Sequence, residues 1–197
     1  ALFFASRSAG VEPIRAERDR ANAELATLRQ ELRRAAHSRA FLLLNLGFLV
    51  CGFHVTFVGT HLASYAVDVG QPRSVAATAL AVIGLFNIFG SLLAGALGSR
   101  YAKRKLLSII YGTRAVVFTV FMLVPHSTTS FLVFGAAMGV LWLSTVPLTS
   151  GIVASQFGTA HAGTLFGIVF LSHQLGAFVG AWMGGTLADR LGSYNPV

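Results

Sequence analysis

The chain has 197 residues, of which 54% are hydrophobic and only 11% are charged. A soluble domain of this size needs more charge to cover its surface, so the composition excludes that class and indicates an integral membrane protein. The net charge of +8 does not indicate a nucleic-acid partner, because the basic residues flank apolar runs and form no zinc-finger or aromatic-basic pattern.

The first forty residues form a segment that differs from the rest. Residues 1–4 are apolar, and we interpret them as the tail of a preceding membrane helix. Residues 11–38 are rich in Glu, Arg, Ala and Leu, a composition that predicts a charged surface helix. We expect residues 1–40 to contain a basic connector on the membrane face; a regulatory or anionic-lipid site is the alternative.

Residues 41–197 consist of apolar runs joined by short connections. Each run is long enough, at about 1.5 Å per residue, to cross the ~30 Å hydrocarbon core of a bilayer. The five runs cover approximately residues 40–66, 75–98, 105–124, 130–154 and 162–187. The sequence therefore predicts an all-α integral membrane fold with a partial bundle of five transmembrane helices.

The distribution of Lys and Arg predicts the orientation of these spans. Twelve of the 15 basic residues lie before the first run or in the connection after the second, and these two places share one side of the membrane. Because basic segments are retained in the cytoplasm, we expect a cytoplasmic connector in a cell membrane of the bacterial inner-membrane type. Five spans place the chain end outside, and we expect a further span after Val197 and others before Ala1.

Small residues spaced four apart predict places where helices pack closely in lipid. The residues concerned are Gly176, Gly180 and Gly184, Gly135 with Gly139, and Ser91 with Gly95. Pro147 interrupts the fourth run and predicts a kink there, which a membrane helix tolerates where neighbours or a cavity satisfy the freed backbone. Trp142, Ser144 and Thr145, just before this proline, could line a cavity; for the tryptophan, packing or anchoring at the membrane interface is the alternative.

Polar side chains inside the runs are the candidates for chemistry, since each must offset a large desolvation cost. Arg114, near mid-depth in the third run, could bind a carboxylate through two parallel hydrogen bonds. The structural alternative, which we favour, is that it pairs with backbone carbonyls or polar side chains of neighbouring helices. Asn87, His173 and Gln174 could contact a solute or form interhelical hydrogen bonds.

Two histidines, His54 and His61, lie seven residues apart on one face of the first run, and either could carry a coupled proton. His54 is deeper and is the stronger candidate; packing by a neutral, hydrogen-bonded histidine is the alternative. The single cysteine, Cys51, is interpreted as a small packing residue. The candidate substrate or proton path comprises His54, Asn87, Arg114, His173 and Gln174.

A short phrase closes both the second and the fifth runs, as GALGSR at residues 95–100 and GTLADR at residues 185–190. Its repetition in an apolar chain indicates a helical transporter built from duplicated units. The first copy and its basic loop contain Gly95, Leu97, Ser99, Arg100, Lys103 and Arg104; the second copy and its flank contain Gly185, Asp189, Arg190 and Gly192. The basic loop either serves only to orient the spans in the membrane or uses its charges to stabilise one end-state of a rocking motion.

With these pieces placed, the chain resembles the C-terminal half of a major facilitator superfamily transporter. Residues 95–104 are similar to the superfamily loop signature G-x-L-x-D-R-x-G-R-R, with Ser99 in place of the usual Asp and Ala102 in place of the usual Gly. The five runs resemble helices seven to eleven of a twelve-helix protein, and the connector resembles its central cytoplasmic loop. Residues 51–54 and 189–194 resemble the monocarboxylate-transporter-like branch.

This resemblance implies alternating access, in which two six-helix halves rock around a central site. Helices seven and ten would line the cavity, eight and eleven would face the other half, and nine would lie outside. The implied partners are the lipid bilayer, an N-terminal six-helix half, a final helix and a small-molecule solute. The implied cargo is a small organic anion such as a monocarboxylate, with a proton as a candidate coupling ion.

The alternative class of function is a non-transporting membrane scaffold or accessory subunit, whose glycine stripes would bind a partner helix bundle. The sequence contains no nucleophile elbow, no phosphate-binding loop and no paired mid-membrane carboxylates. We therefore expect neither an enzyme nor a bound metal or cofactor.

Overall fold

A computed structural model describes residues 11–194, with side chains described from residue 15 onward. The helices are α1 (Val11–Ala36), α2 (Arg39–Asp68), α3 (Arg73–Arg100), α4 (Lys103–Leu123), α5 (Thr128–Leu141), α6 (Thr145–Phe157) and α7 (Ala162–Leu191). No strand occurs within residues 11–194, so the predicted all-α class is confirmed. The interpretation of residues 1–4 as the tail of a preceding helix lies outside the described residues.

The chain divides into two compact units, residues 1–42 and residues 43–197. The first contains α1, whose side chains from residue 15 to residue 27 are exposed to solvent. Arg34 and Glu31 form an ion pair of 3.6 Å one helical turn apart, an arrangement that contributes little to stability at a surface. The helix has the charged, solvated character that its composition predicts.

The second unit contains the membrane-length helices. Five helical segments are long and apolar enough to cross a bilayer, which confirms the predicted number of spans. The fourth of these spans is made of α5 and α6 together. The fifth, α7, continues to Leu191, four residues beyond its predicted end, and Gly192 stops it by adopting a left-handed conformation with φ of 72°.

The fourth span is broken at residues 142–144, near its middle. The sequence predicts a kink at Pro147, whereas the structure places Pro147 in the first turn of α6, after the break. The reason is that proline lacks the N–H that would bond the carbonyl four residues earlier, and its ring excludes that carbonyl. The disturbance therefore falls on Leu143 and its neighbours and not on the proline itself.

Glycine brings α2 and α7 into backbone contact. A Cβ on Gly176 would lie 1.9 Å from the carbonyl oxygen of Leu49, and a Cβ on Gly52 would lie 1.9 Å from that of His173. Only hydrogen fits at either position, because the obstacle is backbone and cannot swing away. The close packing predicted for the stripe that begins at Gly176 is therefore present.

A second glycine contact joins α3 to α5. A Cβ on Gly139 would lie 2.6 Å from the carbonyl oxygen of Ile83, and a Cβ on Gly90 would lie 2.0 Å from that of Val140. The predicted pairing of Ser91 with Gly95 makes no such contact within the described part of the chain, where a Cβ on Gly95 would meet nothing within 4 Å. The glycine of α3 that packs closely here is Gly90, on the buried face of the helix.

The apolar core of the second unit lies among α2, α3, α4 and α5. The rings of Phe121 and Phe134 stack with centroids 4.2 Å apart, and Phe131 packs edge-on against Phe121 at 5.1 Å. By contrast, large apolar side chains along one face of α3 and of α7 are exposed, among them Phe89 and Phe178. Helices with such faces contact lipid or other helices.

Candidate functional site

Polar side chains gather near the middle of the membrane-length helices, and all of them lie within the second unit. They are Cys51 and His54 on α2, Asn87 on α3, Arg114 on α4, Ser144 and Thr145 at the break, and His173 and Gln174 on α7. The break in the fourth span is thus surrounded by polar groups from the neighbouring helices.

Arg114 is fully buried and binds the backbone of the break. Its Nη2 donates to the carbonyl oxygens of Leu141 at 2.5 Å and of Trp142 at 3.0 Å. Its Nη1 donates to Sγ of Cys51 at 3.2 Å. No carboxylate within residues 15–194 pairs with this guanidinium, so the backbone carbonyls and the thiol are its partners.

Asn87 binds the same break from α3. Its Oδ1 accepts a hydrogen bond from the backbone N–H of Leu143 at 3.0 Å and a second one from the hydroxyl of Ser91 at 3.3 Å. The hydroxyl of Ser144 donates to the carbonyl of Val140. A backbone polar group left unpaired in the membrane costs several kcal/mol, so these bonds explain how the break is tolerated.

Cys51 is buried, as its interpretation as a packing residue expects, and it also makes polar contacts. Its sulfur lies 3.2 Å from Nη1 of Arg114 and 3.4 Å from the hydroxyl of Thr145. Thr145 is itself fully buried at the first position of α6. The thiol therefore joins α2 to both the arginine and the second half of the broken span.

The remaining candidates of the predicted path are His54 on α2 and the neighbouring pair His173 and Gln174 on α7. His54 is half-buried, and its ring packs against Phe118 of α4 with centroids 5.1 Å apart. His173 is buried, stacks on Phe170 at 5.5 Å, and its Nδ1 lies 3.1 Å from the amide oxygen of Gln174. Gln174 is exposed on α7, so this pair reaches the surface of the bundle.

His61, the shallower histidine of α2, has partners for both ring nitrogens. Nδ1 lies 3.1 Å from the hydroxyl of Tyr194, and Nε2 lies 3.0 Å from the carbonyl oxygen of Ala181. His61 and Tyr194 border an aromatic cavity of about 190 Å³ that Tyr65 and Phe121 also line. The contacts tie α2 to α7 and to the residues after it.

The basic loop between α3 and α4 lies against the second half of the broken span. The side-chain stem of Lys103 crosses Gly151, where a Cβ would meet Cε of the lysine at 2.7 Å. Ser99, which occupies the usual Asp position of the signature, donates to the carbonyl of Ala96 in its own helix at 2.7 Å. The remaining positions of this motif are an open Gly95, a half-buried Leu97 and exposed Arg100 and Arg104.

The second signature closes α7. Asp189 and Arg190 are exposed, and Gly185 is half-buried with its Cβ position 3.9 Å from the ring of His61. After Gly192 the chain turns back, and the carboxylate of Asp68 accepts a hydrogen bond from the backbone N–H of Tyr194 at 2.5 Å. Gly192 thus ends α7 and allows the chain to turn back toward Asp68.

An all-helical unit of membrane-length segments, with one span broken near its middle and polar side chains around the break, is typical of helical membrane transporters. The sequence model of the Major Facilitator Superfamily matches residues 1–195. The chain therefore belongs to this superfamily, which confirms the resemblance that its loop motif carries.

Two relatives extend the comparison. The chain is 29% identical over 165 residues to the uncharacterized MFS-type transporter YcxA of Bacillus subtilis (strain 168), covering 80% of this chain and 39% of the relative. It is 25% identical over 159 residues to Monocarboxylate transporter 12-B of Danio rerio, covering 79% of this chain and 33% of the relative. The chain thus spans well under half the length of these relatives.

Proposed function

We propose that the chain acts as the C-terminal half of a secondary active transporter that moves a small organic anion by alternating access. The observation that carries this proposal is the break in the fourth span, which lies at mid-depth and is supported from α3 and α4. Irregular backbone survives inside a membrane only where protein buries it or where it lines a water-filled cavity. Broken helices near the midplane are a common site of solute binding in transporters.

The charged residues of the spans favour an anionic solute. Beyond residue 43 the acidic residues are Asp68 and Asp189, and both lie at the ends of spans. The middle of the spans carries Arg114 and the histidines His54 and His173. A low-dielectric region whose charges are of one sign attracts solutes of the opposite sign, even where the charged group does not touch the solute. The similarity to Monocarboxylate transporter 12-B supports a monocarboxylate in particular.

The proposal includes an orientation and partners. We place α1 and the basic loop at Lys103 in the cytoplasm, because that arrangement puts most of the Lys and Arg residues on the cytoplasmic side. The membrane is a cell membrane of the bacterial inner-membrane type. An N-terminal six-helix half and a final helix complete the cavity, and the exposed apolar faces of α3 and α7 are the surfaces available to them.

Uptake by proteoliposomes tests the function. The native polypeptide that carries this sequence is purified and reconstituted, and the entry of radiolabelled lactate is followed with and without an inward proton gradient. We expect saturable lactate uptake that the gradient accelerates, while glucose, a neutral solute, does not enter. Absence of uptake for lactate and for a panel of other carboxylates, with and without the gradient, overturns the proposal.

A histidine variant tests the coupling ion. His54→Gln keeps a polar side chain of similar size but removes the group that takes up a proton near neutral pH, so gradient-driven uptake is expected to fall while lactate exchange continues. His37→Gln, beyond the end of α1 and outside the spans, is the matched control and should change neither rate. If His54→Gln keeps the full response to the gradient, His54 is not on the proton path.

A further inference from the structure

We propose that Asn87 on α3 and Arg114 on α4 are positioning residues, which hold the broken span through its backbone. The inference rests on the proposed transport function and deepens it, because it assigns two of the five path candidates to the shape of the site. The argument for the two roles is that each side chain binds particular backbone groups of the break.

The break leaves a defined set of backbone groups without helical partners. Pro147 cannot donate to the carbonyl of Leu143, which accepts instead from the N–H of Val146 at 3.0 Å. That shift withdraws Val146 from the carbonyl of Trp142, its partner in a regular helix. The vacated carbonyl of Trp142 is one of the two that Arg114 binds.

A similar change of hydrogen-bond partner on the N-terminal side of the break leaves one backbone N–H without its helical acceptor. The N–H of Trp142 bonds the carbonyl of Gly139 at 3.1 Å, so the N–H of Leu143 loses that carbonyl as its helical partner. Asn87 accepts from this N–H. Asn87, which offers an acceptor oxygen, thus binds the N–H of Leu143. Arg114, which offers only N–H donors, binds the carbonyl oxygens of Leu141 and Trp142.

The chemistry of the two side chains suits these tasks. A guanidinium presents several N–H donors in a rigid plane and no acceptor, so one nitrogen of Arg114 can bind two adjacent carbonyls while another binds Cys51. The Arg114 side chain is 0% exposed, which leaves it no surface for a solute. The amide oxygen of Asn87 has two lone pairs, and both are used, by Leu143 and Ser91.

A clamp of this kind governs the segment Trp142–Ser144, which forms hydrogen bonds with side chains of both α3 and α4. Removing one side of the clamp frees a backbone group of the break without removing a solute contact. The maximal transport rate should therefore fall while the KM for the solute changes little, as expected for a residue that shapes the site.

Hydrogen–deuterium exchange of the reconstituted native polypeptide tests the clamp independently of transport. In Asn87→Leu, which loses the acceptor at similar volume, we expect the backbone amides of residues 142–146 to exchange about tenfold faster, the order expected for one lost hydrogen bond. Amides in α7 should be unaffected. Asn87→Asp, which keeps an acceptor oxygen in place, should restore slow exchange.

Matched variants complete the test. Thr78→Val on α3 and Thr119→Val on α4 each remove a hydroxyl that bonds only its own helix, and both should leave residues 142–146 unchanged. Arg114→Lys keeps the charge but loses the planar fork, and it should accelerate exchange at the break. Unchanged exchange there in both Asn87→Leu and Arg114→Lys overturns the clamp, even where lactate transport is present. A rise in KM without a fall in maximal rate also overturns it, because that pattern marks a solute contact.

Discussion

Single residues at the centre of the spans explain how polar groups survive in an apolar unit. Arg114 has no carboxylate partner within residues 15–194, yet its side chain is held by two carbonyls and a thiol. The sequence could predict that an arginine at this depth has a strong partner, because the cost of burial demands one. It could not identify Leu141 or Trp142 as that partner, because the pairing depends on how α4 packs beside the break.

Glycines give the sharpest stability prediction at this scale. Gly176→Ala is expected to destabilise the protein by about 1–3 kcal/mol, because the new Cβ would overlap the backbone carbonyl of Leu49 and force α2 and α7 apart. Thermal unfolding in detergent measures the effect.

The control for this prediction lies on the same helix. A Cβ on Gly167 would meet nothing within 4 Å, so Gly167→Ala should be neutral or stabilise by up to about 1 kcal/mol through its higher helix propensity. Equal melting temperatures for the two variants would contradict the close approach of α2 and α7.

At the scale of elements, length and hydropathy were sufficient to predict the number of spans, because crossing a bilayer requires about 20 apolar residues whatever their order. Pro147 signalled a disturbance in the fourth span, but its position did not give the site of the break. The break extends back to residue 142 because each shifted hydrogen bond displaces the next. The close approach at Gly90 was also missed, although Ala94 and Gly98 follow it at spacings of four and eight residues, because Ser91 with Gly95 was the pair predicted on this helix.

The end of α7 is fastened to the end of α2, and this connection can be tested. Asp68→Ala removes the acceptor for the backbone N–H of Tyr194 and for the hydroxyl of Ser193. We expect the amide of Tyr194 to exchange roughly ten- to a hundredfold faster with deuterium, since loss of one charge-assisted bond is worth about 1.5–3 kcal/mol. Asp189→Ala, an exposed carboxylate on α7, is the control; a similar response in both variants would show that Asp68 is not the fastening group.

At the scale of the whole molecule, the superfamily assignment and the proportions of the relatives support the proposal that the chain is half of a transporter. The family model matches residues 1–195, whereas the chain spans 39% of one relative and 33% of the other. In the proposed mechanism a central cavity is enclosed by two halves, and this chain would supply only one of them. The exposed apolar faces of α3 and α7 fit that reading, in which a second set of helices covers them.

The most direct test of this central claim is the mass of the native polypeptide in its own membrane, measured by immunoblot with an antibody against α1. The account predicts a band at about twice the 20.9 kDa of the present chain, as expected if a further set of helices is joined to it. A band near 20.9 kDa would contradict the half-transporter account and would favour a membrane scaffold or a cavity formed by two copies.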